Sequence, residues 1–259
     1  MQERHTDRFA YFTELANTSR EFYLDYLQPF FEVKKGMNIL EVGCGEGGNL
    51  LPFAENGCVV KGIDACSDRI EQAKEYFSLA QQPGTFECIN FFDMKIPDEA
   101  NKFDLVLIHD VIEHIDDKET FISKVKEYTK KDGIIFWGFP AWQMPFGGHQ
   151  QICAGKISKL PFIHLLPMSL YRKLLQTMGE SEDCISELQS IKKCALTIEN
   201  FENLIEQNGY NLLHRKLWFI NPHYKQKFNL TPIELPGLFS NIKYFRNFFS
   251  TACFYVTQR

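Results

Sequence analysis

The stretch Ile39–Leu50, ILEVGCGEGGNL, runs an apolar segment straight into a cluster of glycines at 43, 45, 47 and 48. Asn38–Val42 reads as a buried strand, and the residues from Gly48 to the stop signal Asn56-Gly57 read as a short helix. Glycines at such a junction allow a sharp turn and let the backbone approach a ligand at the helix N-terminus. A strand that feeds a helix in this way is expected to be followed by a parallel neighbour through a right-handed crossover.

The rest of the first 140 residues repeats that logic. Cys58–Ile63 is a second predicted strand, and Asp68–Ala80 a helix closed by Pro83-Gly84. Phe86–Phe91, Phe103–Ile108 and Gly133–Phe139 are further predicted strands, with Asp116–Thr129 as the helix between the last two. Short strands that are apolar on both faces and alternate with helices predict an α/β open parallel sheet. Ahead of them, Ser19 is a plausible N-cap for a helix through Leu27, so 1–35 is an N-terminal helical segment and 36–140 the core. The pattern breaks after Pro140. Residues 141–196 are expected to form a cap, and 197–259 a helix ending at Asn208-Gly209 plus two late strands, Tyr210–Phe219 and Thr251–Thr257.

Composition narrows the function classes. A net charge of −5 disfavours a dedicated nucleic-acid binder, which needs a basic stripe. Eight cysteines without a CxxC pair, behind an N-terminus with no signal-peptide pattern, predict reduced thiols and a cytoplasmic location. Seven histidines without HExxH or zinc spacing predict no metal. No apolar run is long enough to span a membrane.

The glycine turn fits two patterns. Gly43, Gly45 and Gly48 match GxGxxG, the dinucleotide form; Gly43, Gly45 and Gly47 match the tighter GxGxG of an adenosyl cofactor without phosphates. Asp64 stands at the end of the second strand, close to the separation of about 20 residues at which an acid reaches a ribose hydroxyl. Glu41 separates the two. A carboxylate just ahead of the turn repels a pyrophosphate and favours an ammonium and a sulfonium. A second Gly-rich nucleotide half is absent from the sequence.

The four segments ILEVGCGEGG, GIDACSDRI, INFFDM and FDLVLIHDVIEHI, in that order, resemble the successive motifs of class I S-adenosylmethionine-dependent methyltransferases of the small-molecule type. The resemblance covers roughly 36–140. It implies a Rossmann-like, doubly wound, mostly parallel seven-stranded sheet with helices on both faces and a small cap after the fifth strand. It further implies S-adenosylmethionine as cofactor, with S-adenosylhomocysteine as product. Glu41, Gly43, Cys44 and Gly45 would line its methionine end, with Gly47 completing the turn. Asp64 would take the ribose, Ala65 would sit beside the adenine, Phe92 would pack on it, Asp93 would reach its amino group, and His109 would touch the cofactor. Beyond Pro140, PFGGHQQ, LPFIHLLP and NPHYKQKFNLTPIELPGL look like methyltransferases of bacterial glycan building, which implies a sugar or glycan precursor.

A hydroxyl acceptor needs a general base, and a histidine is the natural one. His149, in a Gly-flanked loop after the fifth strand, and His114, beside Glu113, are the candidates. His114 reads equally as a structural residue, His149 as an incidental loop residue, and His164 as buried and satisfied. Trp137, Trp142 and Phe146 read as a substrate wall or as core. The expected partner is a small-molecule methyl acceptor, and the Phe-rich tail leaves monomer or homodimer open. A nicotinamide-linked oxidoreductase and a non-catalytic Rossmann-like module are the alternatives.

Overall fold

Ile39, Leu40 and Val42 are shut from solvent because their strand, β1 (Asn38–Val42), lies inside a sheet covered on both faces. The structure is a computed structural model that describes residues 7–259; the first six residues of the expected N-terminal segment lie outside the described residues. The other strands are β2 (Val59–Asp64), β3 (Thr85–Cys88), β4 (Phe103–His109), β5 (Thr129–Phe139), β6 (Asn211–Ile220), β7 (Ile233–Glu234) and β8 (Ala252–Gln258). Their order across the sheet is β3-β2-β1-β4-β5-β8-β6-β7. The first five are parallel, and β8, β6 and β7 each pair antiparallel with their neighbours. The expected seven strands are joined by an eighth, β7, a two-residue edge piece too short to leave a period-two signal. The strand order reverses between β1 and β4, and in open α/β sheets the crevice at such a reversal is where ligands bind.

Helices α1 (Arg8–Thr18), α2 (Leu24–Leu27), α3 (Leu51–Glu55) and α4 (Ser67–Leu79) cover one face of the sheet. The other face carries α5 (Lys118–Tyr128); α6 (Met168–Thr177) and α7 (Glu182–Lys193) belong to the region after β5, and α8 (Ile198–Gln207) returns to the sheet beside α5. Two short helices, α9 (His223–Phe228) and α10 (Gly237–Ser240), lie between β6 and β8. Strand β5 shows how one run serves both layers. Ile134 and Phe136 pack with Phe12, Phe53 and Phe77, whereas Ile135, Trp137 and Phe139 pack with Phe121, Ile122 and Phe201. Helices α6 and α7 share a separate small core around Ile157, Tyr171, Leu175 and Leu188. All eight cysteines are free thiols.

One sequence expectation is corrected, and one open choice is decided. Ser19 is no N-cap: the chain is helical from Arg8, capped by Asp7 Oδ1 accepting from the Ala10 N–H at 2.8 Å, and passes Ser19 in a π turn (Ser19–Tyr23). The Ser19 hydroxyl is buried and donates to the Asn49 carbonyl at 2.8 Å, which satisfies it inside the helix. Of its two readings, wall or core, Trp137 takes the core: it is fully buried, with its indole N–H donating to Thr257 Oγ1 at 2.9 Å.

The tail is pinned by one buried ionic cluster. Arg246 donates to Glu199 Oε1 at 2.9 Å and also pairs with Glu202, while Asn247 donates to Glu199 Oε2 at 2.6 Å and accepts from the Ile198 N–H. Removing one member of such a cluster strands a buried charge, which costs about 3–5 kcal/mol. Arg246→Met is therefore expected to lower unfolding stability by about that amount in urea titration, whereas the exposed Lys243→Met, three residues away, is expected to change it by less than about 0.5 kcal/mol.

Candidate functional site

Asp64 ends β2 and ties the glycine turn down. Its Oδ2 accepts from the Gly45 N–H at 3.0 Å and its Oδ1 from the Cys66 N–H at 2.8 Å. The Gly43 and Cys44 N–H groups both donate to the Ile63 carbonyl, at 2.8 and 2.9 Å. Gly45 adopts φ +52°, and a Cβ there would meet open space, so the turn offers bare backbone. Gly48 is required for another reason: a Cβ would collide with the carbonyl of Phe12 and the side chain of Leu15, which brings α1 hard against the turn.

Glu41 lies beneath this turn, 1 % exposed, with Oε1 accepting from Asn49 Nδ2 at 2.7 Å. Glu41 Oε2 and Asn49 Oδ1 are buried without a partner. Burial pushes the Glu41 carboxyl up to about 8, opposed by the Asn49 hydrogen bond. Across the turn, Glu46 is buried and paired with Arg8. His109, at the end of β4, shares a 2.7 Å hydrogen bond with the Tyr23 hydroxyl. The next residue, Asp110, holds φ +54°, and His149 holds φ +56°; two left-handed non-glycine residues at one site mark a backbone held by its surroundings.

Two cavities meet here. The first, about 340 Å³, is lined by the glycine turn together with Arg8, Tyr11, Asn49, His109 and His114. The second, about 620 Å³, is lined by Met144, Phe146, Ile152, Asn221, Tyr224 and Thr251 among others. Tyr11, Asp110 and His149 line both. The His149 ring stands edge-on to that of His114, with centroids 4.8 Å apart. Burial, with His114 adding to it, lowers the His149 imidazole to about 4, and burial likewise lowers His114. Glu113 is buried with both carboxylate oxygens unpartnered, and burial raises it well above the usual carboxylate range.

Of the residues singled out in the sequence, Gly43, Cys44, Gly45, His109, His114 and His149 line the first cavity. Glu41, Gly47 and Asp64 do not line it; Glu41 and Asp64 hold it through Asn49 and Gly45. Ala65, Phe92 and Asp93 are exposed and line neither cavity. Cys44 packs as a filler against Gly62, its thiol raised well above its usual value by burial. Of the aromatic wall, Phe146 alone lines the larger cavity, while Trp142 packs on His164. His164 is fully buried but half satisfied, with Nε2 bonded to the Trp142 carbonyl and Nδ1 unpartnered.

Sequence reasoning missed Arg8, Tyr11, Glu46, Asn49 and Asp110. Glu46, Asn49 and Asp110 lie within the quoted motifs, but nothing local distinguishes them, and Arg8 and Tyr11 reach the site only through the packing of α1. The expectation of no metal rested on spacing along the chain. The fold brings donor atoms of Glu113, His114 and His149 within 4.8 Å of one another, a set able to hold a divalent cation.

A methyltransferase-domain family model matches residues 15–215. The chain belongs to this family of class I, S-adenosylmethionine-dependent methyltransferases. It is 30% identical over 131 residues to a ubiquinone biosynthesis O-methyltransferase of Bartonella quintana, covering 49% of this chain and 51% of that protein. A namesake from a Chelativorans species is 34% identical over 107 residues, covering 39% and 40%. The chain thus spans about half the length, or less, of these relatives. Among solved structures it resembles a phosphoethanolamine N-methyltransferase of Haemonchus contortus in complex with S-adenosylmethionine (TM-score 0.60, 16% identity, 100% and 58% covered). It also resembles a magnesium protoporphyrin IX methyltransferase of Synechocystis with bound S-adenosylhomocysteine (TM-score 0.56, 13% identity, 95% and 83% covered). At those identities the likeness establishes the fold.

The residues present fit S-adenosylmethionine. Asn49 Oδ1 is an unpartnered acceptor in the cavity wall with Glu41 behind it, which suits an ammonium, and Gly45 leaves room for close approach. Asp64→Ala removes the anchor of the turn at Gly45 and that of the Cys66 N–H ahead of α4, and affinity for S-adenosylmethionine is expected to fall by roughly tenfold or more in calorimetric titration. Glu41 has a second consequence. Its carboxyl ionises near 4.5 when unfolded and about 8 when folded, so between those values the unfolded state has lost a proton that the native state keeps. Stability from this group is complete at low pH and falls as pH rises through that window, by at most roughly 1.4 kcal/mol per pH unit. Glu41→Gln is expected to remove that slope from the pH series of unfolding midpoints.

Proposed function

We propose that this methyltransferase transfers a methyl group to an oxygen of a small molecule, with His149 receiving the acceptor's proton. The observation that carries the reading is that His149 lines both cavities, so one imidazole borders the cofactor side and the acceptor side at once. Bound S-adenosylmethionine supplies a methyl already activated on a sulfonium. What remains for the chain is to hold the acceptor in line at near-attack distance, keep water out and remove a proton. An imidazole held at about 4 is neutral at physiological pH and has its acceptor nitrogen available. Asp110 faces the same junction and partly offsets the lowering. Residues 141–196, built around their own small core, act as the lid over the acceptor.

Met144, Phe146, Ile152 and Tyr224 in the larger cavity suit an acceptor with an apolar or aromatic body, while Asp110, Gln151, Asn221 and Lys227 in the same wall could meet polar groups, sugar hydroxyls included. The relatives named for O-methylation in ubiquinone biosynthesis support an oxygen acceptor with an aromatic body.

The decisive experiment is turnover of His149→Ala against a panel of phenolic and sugar hydroxyl acceptors. The expected result is a loss in kcat of about 10²–10⁴ on hydroxyl acceptors with S-adenosylmethionine affinity held within about threefold. In the unaltered protein, the acid limb of kcat/KM is expected below pH 5, not near 6.5, because the base is already neutral above its folded value. Unchanged turnover in His149→Ala overturns the base assignment. Activity abolished by a chelator and restored by a divalent cation reassigns Glu113, His114 and His149 to metal binding.

A further inference from the structure

Two segments, 133–179 and 207–259, carry eleven basic residues and a single acidic one, Glu234, in a chain whose total charge is −5. The same segments hold sixteen of the twenty-one exposed large apolar side chains among the described residues. The fold joins them. Phe162 of the first segment meets Phe248 of the second with ring centroids 6.4 Å apart, and Phe239, Phe245 and Phe249 of the second segment pack on one another nearby in the chain. The larger cavity lies between the same segments, with Phe146 and Ile152 from one and Tyr224 and Thr251 from the other. Several of the basic side chains are engaged internally: Arg246 with Glu199, Arg215 with Glu202, Lys225 with Glu21 and Arg172 with Glu182. Lys156, Lys159, Lys173 and Lys243 are exposed and have no acidic partner among the described residues.

An exposed apolar surface of this extent marks an association site. Its chemistry selects the partner. Apolar side chains interleaved with unpaired lysines and nearly free of acids match an anionic lipid surface, where insertion and electrostatic attraction add. A second copy of the chain matches poorly, because a two-fold contact would set these lysines against one another. We propose that this face seats the protein on an anionic lipid bilayer, with the larger cavity turned toward the membrane. The protein associates peripherally; no described helix is long and apolar enough to cross a membrane.

The test is co-flotation of the full chain with phosphatidylcholine vesicles, with and without phosphatidylglycerol. Neither a methyl donor nor an acceptor is needed, so its outcome is independent of the methyl-transfer reading. The expected result is binding to the anionic vesicles that weakens roughly tenfold or more on neutral vesicles and in high salt. Two variants, one combining Leu238→Asp with Phe245→Asp and one combining Lys156→Glu, Lys159→Glu and Lys243→Glu, are each expected to lose binding by roughly tenfold or more. Leu79→Asp, an exposed apolar position outside both segments, is expected to bind as the unaltered protein does. All five altered side chains of the first two variants are exposed, and circular dichroism checks that the fold is kept; should the apolar pair unfold, the lysine set alone decides. Absence of vesicle binding, equal binding to neutral and anionic vesicles, or unchanged binding by the lysine variant overturns the proposal. So does a solution dimer, seen by light scattering, that the same substitutions dissociate while vesicles go unbound.

Discussion

The hydrogen bond from the Gly45 N–H to Asp64 is the constraint from which the site follows. It links the turn after β1 to the end of the neighbouring strand and places a carboxylate beside bare backbone. A turn of left-handed glycines is entropically expensive to order, and it keeps one shape only where its polar groups are satisfied. Ile63 and Asp64 together accept from Gly43, Cys44 and Gly45, so β2 supplies a partner for three consecutive N–H groups. The turn is therefore rigid before any ligand arrives. Ordering it is part of folding, and binding is spared that entropy.

The N-terminal helix closes the other side. Gly48 admits the Phe12 carbonyl and Leu15, Ser19 bonds to the Asn49 carbonyl, and Arg8 pairs with Glu46. These contacts recruit Arg8, Tyr11 and Leu15 into the cavity wall. They also explain why Asn49 points as it does: its backbone is held from α1, and its amide reaches Glu41. A carboxylate buried beside an amide is costly to ionise, and its raised pKa expresses that cost. An ammonium held at Asn49 would favour its charged form, whereas a pyrophosphate would oppose it.

Much of the core was legible because parallel strands buried on both faces leave continuous apolar runs. Asn38–Val42 was read with its observed limits, and the two late strands to within a residue at either end. Asp64 and Gly45 stood out because the pattern of the turn is local, but the bond between them was not read from the sequence. What failed was non-local. The first turn of α1 hides in a polar stretch, since its purpose is to pack on Gly48 some forty residues later. Trp137 stayed open between wall and core because an aromatic near a strand end serves either role; its 0 % exposure and its bond to Thr257 decide for the core. The meeting of His114 with His149 depends on the loop after β5 folding back across the ends of the strands, and no spacing rule contains that.

That meeting sets the charge state of the junction. Glu113, His114 and His149 are drawn together, Glu113 buried and His114 at the surface, and desolvation disfavours charge on all three: the carboxyl rises, the imidazoles fall. The His149 imidazole, lowered to about 4, is neutral near pH 7 and can take a proton from an acceptor hydroxyl, and Asp110, at the lip of both cavities, lies near enough to favour the imidazolium that results. The donor atoms of Glu113, His114 and His149 can equally hold a divalent cation, which would compete for the same imidazole nitrogens. The two uses exclude each other at His149, since a nitrogen bound to metal has no lone pair left for a proton.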